Sequence, residues 1–354
     1  MVLRRVMAAA AALFTSQVLA QTYTSCNPLQ TTCKANTALG MTIDVDFTQG
    51  EVNSFSTSGG TPTYGSDGVV FTVAKSGDAP QLNSLFYIMF GRVEFELKAA
   101  PGAGIVSSVV LQSDCLDEID LEWLGADTTE VATNYFGKGQ VTNYNRGEWN
   151  PAAGNQDSFI KYTIDWTSER IVWMVGDTAV RTLNYKDADE GQYPQTPMQI
   201  KIGAWSGGDS SNSAGTIEWA RGPTDYTKGP FSMHMKNIQI TDYSTGSSYS
   251  YGDHSGDWES IKSEGGKVNG NLNGAGSLTV TATADSTATA TVPVVGLTGT
   301  VSASLPSGWI MTSSGKVRPA YSASSETLRP SMLLLAGPTI FAILAASLGD
   351  WRRP

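Results

Sequence analysis

Short runs in which apolar and polar residues strictly alternate set the limits on what this chain can become. In Arg92-Val93-Glu94-Phe95-Glu96-Leu97-Lys98, an extended backbone puts Val93, Phe95 and Leu97 on one face and four charges on the other. Similar runs recur at 42–47, 69–73, 105–111, 159–166, 170–175, 198–203 and 231–240, separated by clusters of Gly, Pro, Asn and Asp. Gly176-Asp177 reads as a hairpin turn. No long segment carries a helical stripe. Closely spaced strands over about 220 residues predict one all-β domain, a sandwich or jelly roll, over residues 21–245.

The two ends read differently. Arg4 and Arg5 precede an apolar run at 6–14, and Val18-Leu19-Ala20 offers compact residues, so 1–20 reads as a signal peptide cut before Gln21. The apolar run is shorter than the roughly 20 residues a membrane helix needs. Residues 246–322 turn rich in Gly and Asn, then in Ser, Thr, Ala and Val, which predicts a disordered Ser/Thr-rich stalk suited to O-glycosylation. No Asn-X-Ser/Thr sequon occurs anywhere. Ser322-Ala323-Ser324, a polar spacer and the apolar tail at 332–348 match a glycosylphosphatidylinositol (GPI) attachment signal. Ser322 is the expected attachment residue and 323–354 the removed propeptide. The protein is thus expected to be secreted and to meet a membrane through that anchor only.

The formal charge of −10 leaves no basic footprint for a polyanion, so nucleic acid is not an expected partner, whereas neutral polymers are. His234 and His254 are the only histidines and no cysteine spacing suits zinc, so neither a histidine machine, a metal nor a cofactor is expected. Secretion favours pairing of Cys26 with Cys33, which leaves Cys115 over, as a small hydrophobe in the core, the commoner case, or a reactive thiol.

The chemistry points to one place. From Glu118 onward, Glu118-Ile119-Asp120-Leu121-Glu122 alternates acid and aliphatic residues, so a strand there turns three carboxylates one way and Ile119 and Leu121 into the core. Like charges in a row repel, which a merely stable strand avoids. Glu118 and Glu122 lie roughly 13 Å apart along the backbone, and side chains leaning together reach roughly 5–6 Å between carboxyls. That separation suits a retaining glycosidase, with one carboxylate as nucleophile and one as acid/base. Asp120 can hold the nucleophile and raise the acid's pKa. Spacing alone leaves open which glutamate is which. A solvated acidic face lacks a nearby base before Lys138, and a calcium site lacks turn oxygens.

These residues resemble glycoside hydrolase family 16, retaining enzymes on a concanavalin-like β-jelly-roll sandwich. Further blocks resemble its fungal Crh subgroup: Tyr87-Ile-Met-Phe-Gly-Arg-Val-Glu94, Ala99-Ala-Pro-Gly-Ala-Gly-Ile-Val-Ser-Ser108, Asn134-Tyr-Phe-Gly-Lys-Gly139, Tyr193-Pro-Gln-Thr-Pro-Met198, Gly215-Thr-Ile-Glu-Trp-Ala220 and Thr224-Asp-Tyr-Thr-Lys-Gly-Pro-Phe231. The resemblance implies Glu118 as nucleophile, Asp120 as the assisting aspartate and Glu122 as proton donor, and it pairs Cys26 with Cys33. It also implies a cell-wall transglycosylase that cleaves a chitin donor and joins the chain to β-glucan or chitin acceptors. Cys115 departs from the polar residue usual in the subgroup.

Within 199–205, Ile200 and Ile202 are expected inward, and Gln199, Lys201, Gly203 and Trp205 on the cleft face. Lys201 can donate to sugar hydroxyls or an acetamido oxygen, and Trp205 can stack on a pyranose ring. The resemblance supports Lys201, Trp205, Thr216 and Glu122 as chitin contacts; Trp219 and Tyr135 are further candidates, although aromatic residues serve core packing as readily. A hydrolytic endo-β-glucanase and a non-enzymatic wall lectin are the alternatives, the lectin disfavoured because binding alone requires no pair of acids.

Overall fold

A computed structural model describes residues 24–272 apart from 53 and 142–144, together with the short strands Thr279–Ala282, Trp309–Met311 and Val317–Pro319. The expected signal peptide, the attachment site at Ser322 and the apolar tail lie outside the described residues.

Two large sheets face one another. One has seven strands in the order Glu148–Pro151, Glu130–Phe136, Glu118–Leu124, Ile105–Ser113, Met198–Ser206, Gln81–Ile88 and Phe55–Ser58. The other is centred on Gly91–Lys98, flanked by Ile160–Trp166 on one side and Phe231–Asp242 on the other. Neighbouring strands in both sheets are antiparallel, except that Thr279–Ala282 runs parallel to Thr42–Asp46. The alternation in 92–98 works as expected: Val93, Phe95 and Leu97 are fully buried while Arg92, Glu94, Glu96 and Lys98 are partly exposed. From the seven-stranded sheet, Ile119, Leu121 and Trp123 meet that layer. Trp123 sits edge-on to Tyr162 at 4.7 Å and to Phe95 at 6.2 Å between ring centroids. Burial of each such side chain stabilises by roughly 1.5–3 kcal/mol and fixes the strand's phase, since a one-residue slip would drive three carboxylates into the core.

The folded part runs past the expected boundary at residue 245. Ser248–Tyr251 and Ile261–Ser263 form a small antiparallel sheet with Asn36–Thr37. Tyr249 is fully buried and donates to Asp242 Oδ2 at 2.6 Å, and Ile261 is buried too. A stretch of Ser, Gly and Asp hides these few anchoring side chains, which is why composition alone ends the folded part at residue 245. A Cys26–Cys33 disulfide closes the loop preceding this sheet, and Cys115 is a buried free thiol. One short helix, Ala214–Trp219, follows the Met198–Ser206 strand and is capped by Ser213, whose side chain accepts from Thr216 N.

Candidate active site

Each carboxylate takes its place from strand register. Glu118, Asp120 and Glu122 pair across one edge with Phe136, Asn134 and Ala132, and across the other with Gln112, Val110 and Ser108. They share the face opposite the inter-sheet core, because Ile119, Leu121 and Trp123 occupy that core. All three are nevertheless buried, at 0 %, 0 % and 2 % exposure. The strand is pinned from behind: Trp173 on the opposing sheet donates its indole N–H to the Asp120 carbonyl at 3.1 Å, and the Arg181 guanidinium lies 4.9 Å from the Trp173 ring centroid. It is pinned at its start by Asp117. That carboxylate accepts from the backbone N–H groups of Gln195, Thr196 and Lys138 and from the Thr196 hydroxyl, at 2.7 to 3.1 Å. The block around residues 193–198 thus serves the site by holding the turn that launches it.

Three buried carboxylates cannot all be ionised cheaply. Burial first, and then the negative charge of Glu118, pushes Glu122 from an ordinary 4.5 up to about 8. Asp120 is raised well above its usual range by burial, by the charges of Glu118 and Glu122 and by a hydrogen bond with Glu118, against the pull of Arg146. No N–H or O–H of the described residues donates to either Asp120 oxygen, so a bond between Asp120 and Glu118 requires a proton on one of them. Glu118 differs from both, because its Oε2 accepts from the Gln112 side-chain amide at 3.0 Å. Lys201 donates to the other end of that amide, Gln112 Oε1. Burial lowers the Lys201 pKa, and the charges of Glu118 and Asp114 oppose that shift.

The expected face of the 198–206 strand is present. Ile200 and Ile202 are buried in the main core, and Lys201 and Gly203 pair with Val110 and Ser108, the residues opposite Asp120 and Glu122. A Cβ on Gly203 would stand 2.5 Å from the Pro80 carbonyl oxygen, so only glycine fits where this strand meets its neighbour. Trp205 joins Val106, Val110, Leu124, Ala79 and Ala220 in an apolar cluster separate from the main core, on the carboxylate side of the sheet. Trp219 stacks on Trp205 at 6.4 Å with planes 19° apart. Thr216 is fully buried in the short helix, its hydroxyl 2.9 Å from that of Ser213. Tyr135 is not brought to this face. It pairs with Ile119, packs in the inter-sheet core and accepts from Asp189 N through its hydroxyl at 3.1 Å. The odd position in its strand turns it away from the carboxylates.

Two residues near the carboxylates escape sequence reasoning. Gln112 lies one residue beyond the expected strand end at 111, and nothing local marks its partners. Arg146 comes from a loop, sits over the Phe136 ring at 4.6 Å from its centroid and influences Asp120. The aromatic pair separates by experiment. Trp219→Ala is expected to raise the KM for polysaccharide with a small effect on the melting temperature, because Trp219 is only half-buried. Trp205→Ala, at 3 % exposure, should also cost roughly 3–5 kcal/mol of stability. Thermal melts beside KM values for both variants check this.

The family model of glycosyl hydrolases family 16 matches residues 48–221. Crh-like protein 4 of Botryotinia fuckeliana is 58% identical over 364 residues, covering 96% of each chain. Congo red hypersensitive protein 1 of Saccharomyces cerevisiae is 48% identical over 250 residues, covering 70% of this chain and 48% of its own length. Among solved structures, a Crh5 transglycosylase in complex with NAG superposes with a TM-score of 0.66 at 49% identity, covering 68% of this chain and all of that one.

Proposed function

Because this chain belongs to glycosyl hydrolase family 16, among the Crh-like proteins, we propose that it is a retaining cell-wall transglycosylase that cleaves chitin and passes the chain to β-glucan or chitin. The observation that carries the mechanism is the unequal treatment of the two glutamates. Glu122 is held protonated to about 8, while Glu118 is served by a hydrogen-bond donor. A proton on Glu122 at neutral pH makes it the general acid, and Glu118 attacks the anomeric carbon as carboxylate. The departing sugar oxygen takes the Glu122 proton, and the donor's reducing-end part leaves. Esterification then removes the Glu118 charge, which lowers the Glu122 pKa and turns the same group into the base for the second step. There an acceptor hydroxyl gives its proton to Glu122, bonds to the anomeric carbon and releases Glu118. Asp120, sharing a proton with Glu118, steadies the carboxylate through both steps. Lys201, Trp205, Thr216 and Trp219, with Glu122 itself, are the proposed chitin contacts.

A test incubates residues 21–272 with a chitin donor and fluorescent β-glucan or chitin oligosaccharides. Label carried into polymer is the expected result. Shortened donor with no labelled polymer would replace transfer by hydrolysis, and no change in either would return the sandwich to a binding role. The GPI anchor on Ser322 is proposed on the sequence, and release from membranes by phospholipase C tests it.

A further inference from the structure

Gln112 is buried at 4 % exposure in the strand beside the carboxylates, directly opposite Glu118. Its amide is oriented from both ends. The Lys201 ammonium is a donor only, so it must face the amide oxygen; Glu118 Oε2, 3.0 Å away, then receives the NH2 group. Gln199, on the same face, donates instead to the Ser84 carbonyl at 2.6 Å. We infer that Gln112 is a positioning residue, oriented by Lys201, whose amide acts mainly in the second step by stabilising Glu118 as it leaves the sugar.

The direction follows from where charge sits. Before attack, Glu118 is an anion and already enjoys the hydrogen bond; in the glycosyl-enzyme its oxygen is an ester, a weaker acceptor. In the transfer step, the bond between the anomeric carbon and Glu118 breaks and its electron pair returns to the carboxylate. The acceptor oxygen forms the new bond and its proton passes to Glu122. Negative charge therefore develops next to the Gln112 N–H as that step proceeds, and hydrogen bonds to charged groups are stronger than those to neutral ones. In the first step the bond weakens as charge is lost, so removing it does not slow attack.

This inference rests on the double-displacement reading above, and the experiment separates the two. An aryl chitooligosaccharide donor is mixed rapidly with wild type, Gln112→Leu, Gln112→Met and Lys201→Met. The aryl burst is followed optically and the glycosyl-enzyme by intact-mass spectrometry after acid quench. In Gln112→Leu, kcat should fall about 10–100-fold, the effect of one hydrogen bond to a charged group, and KM should fall with it. The kcat/KM for the aryl donor should stay near wild type while adduct accumulates. Gln112→Met keeps the side-chain length but has no N–H to donate, so it gives the same partition and guards against a folding defect in the leucine variant. Lys201→Met frees the amide to turn, shifts the partition the same way by less, and is not additive with Gln112→Leu. If kcat/KM drops as far as kcat with no rise in adduct, Gln112 is a structural residue and the inference fails. If wild type and every variant lack an adduct even with a slow 2-fluoro donor, double displacement itself fails.

Discussion

Glu118→Gln is expected to remove both transfer and donor cleavage, by on the order of 10^4-fold. The amide is too weak a nucleophile to form the ester, while its shape keeps the strand and its neighbours in place. Loss of activity alone does not assign a role, so the decisive variant is Glu118→Ala with added azide. A small anion entering the vacated space attacks the anomeric carbon from the side Glu118 would have used, and the product is a glycosyl azide of inverted configuration. Glu122→Ala with an aryl donor should instead yield azide of retained configuration, because the enzyme ester forms first and azide replaces the acceptor. Exchange of these two outcomes would reverse the assignment of nucleophile and acid. Near-normal transfer by Glu118→Gln would end the mechanism altogether.

Much of this site is legible in the residues because a strand's period is two and allows no compromise. Once Ile119 and Leu121 are inward, Glu118, Asp120 and Glu122 must share the other face, and the structure puts them there. The same rule places Lys201 and Trp205 beside them, since Ile200 and Ile202 are inward. Tyr135 shows the rule's dependence on phase. Without the strand at Glu130–Phe136 phased, a tyrosine next to Asn134 looks available, yet pairing with Ile119 sends it to the core. Gln112 shows a different gap. Its importance comes from standing opposite Glu118 across a strand pair and diagonal to Lys201, and such register is a tertiary fact that local pattern does not encode. Arg146 and the anchoring by Trp173 are equally non-local: one arrives from a loop, the other from the opposing sheet. The family blocks mark some of the same places without saying why. The turn at 193–198 is explained only when Asp117 is seen to take two backbone N–H groups and a hydroxyl from it.

Activity on chitin should fall as pH rises through about 8, and Glu122 is the group that causes it. Below that value the buried carboxyl holds the proton that the departing oxygen needs; above it the acid is spent before the sugar arrives. The alkaline limb of kcat/KM reports this proton in the free enzyme. In Glu122→Gln the chitin reaction should drop about 10^2–10^4-fold, the usual worth of a general acid. An aryl donor, whose leaving group needs no proton, should keep most of its first-step rate and lose the alkaline limb. Stability carries the same signature. The folded pKa of Glu122 is above its unfolded value near 4.5, so the folded state binds the proton more tightly. The stabilisation from this group is complete below about 4.5 and is lost as pH climbs through about 8, and Glu122→Gln should flatten that part of the curve. Denaturant midpoints of the two proteins from pH 5 to 9 check it. An unchanged slope in Glu122→Gln would mean that another buried acid governs the window, with Asp242 the first to examine, since burial raises it to about 7.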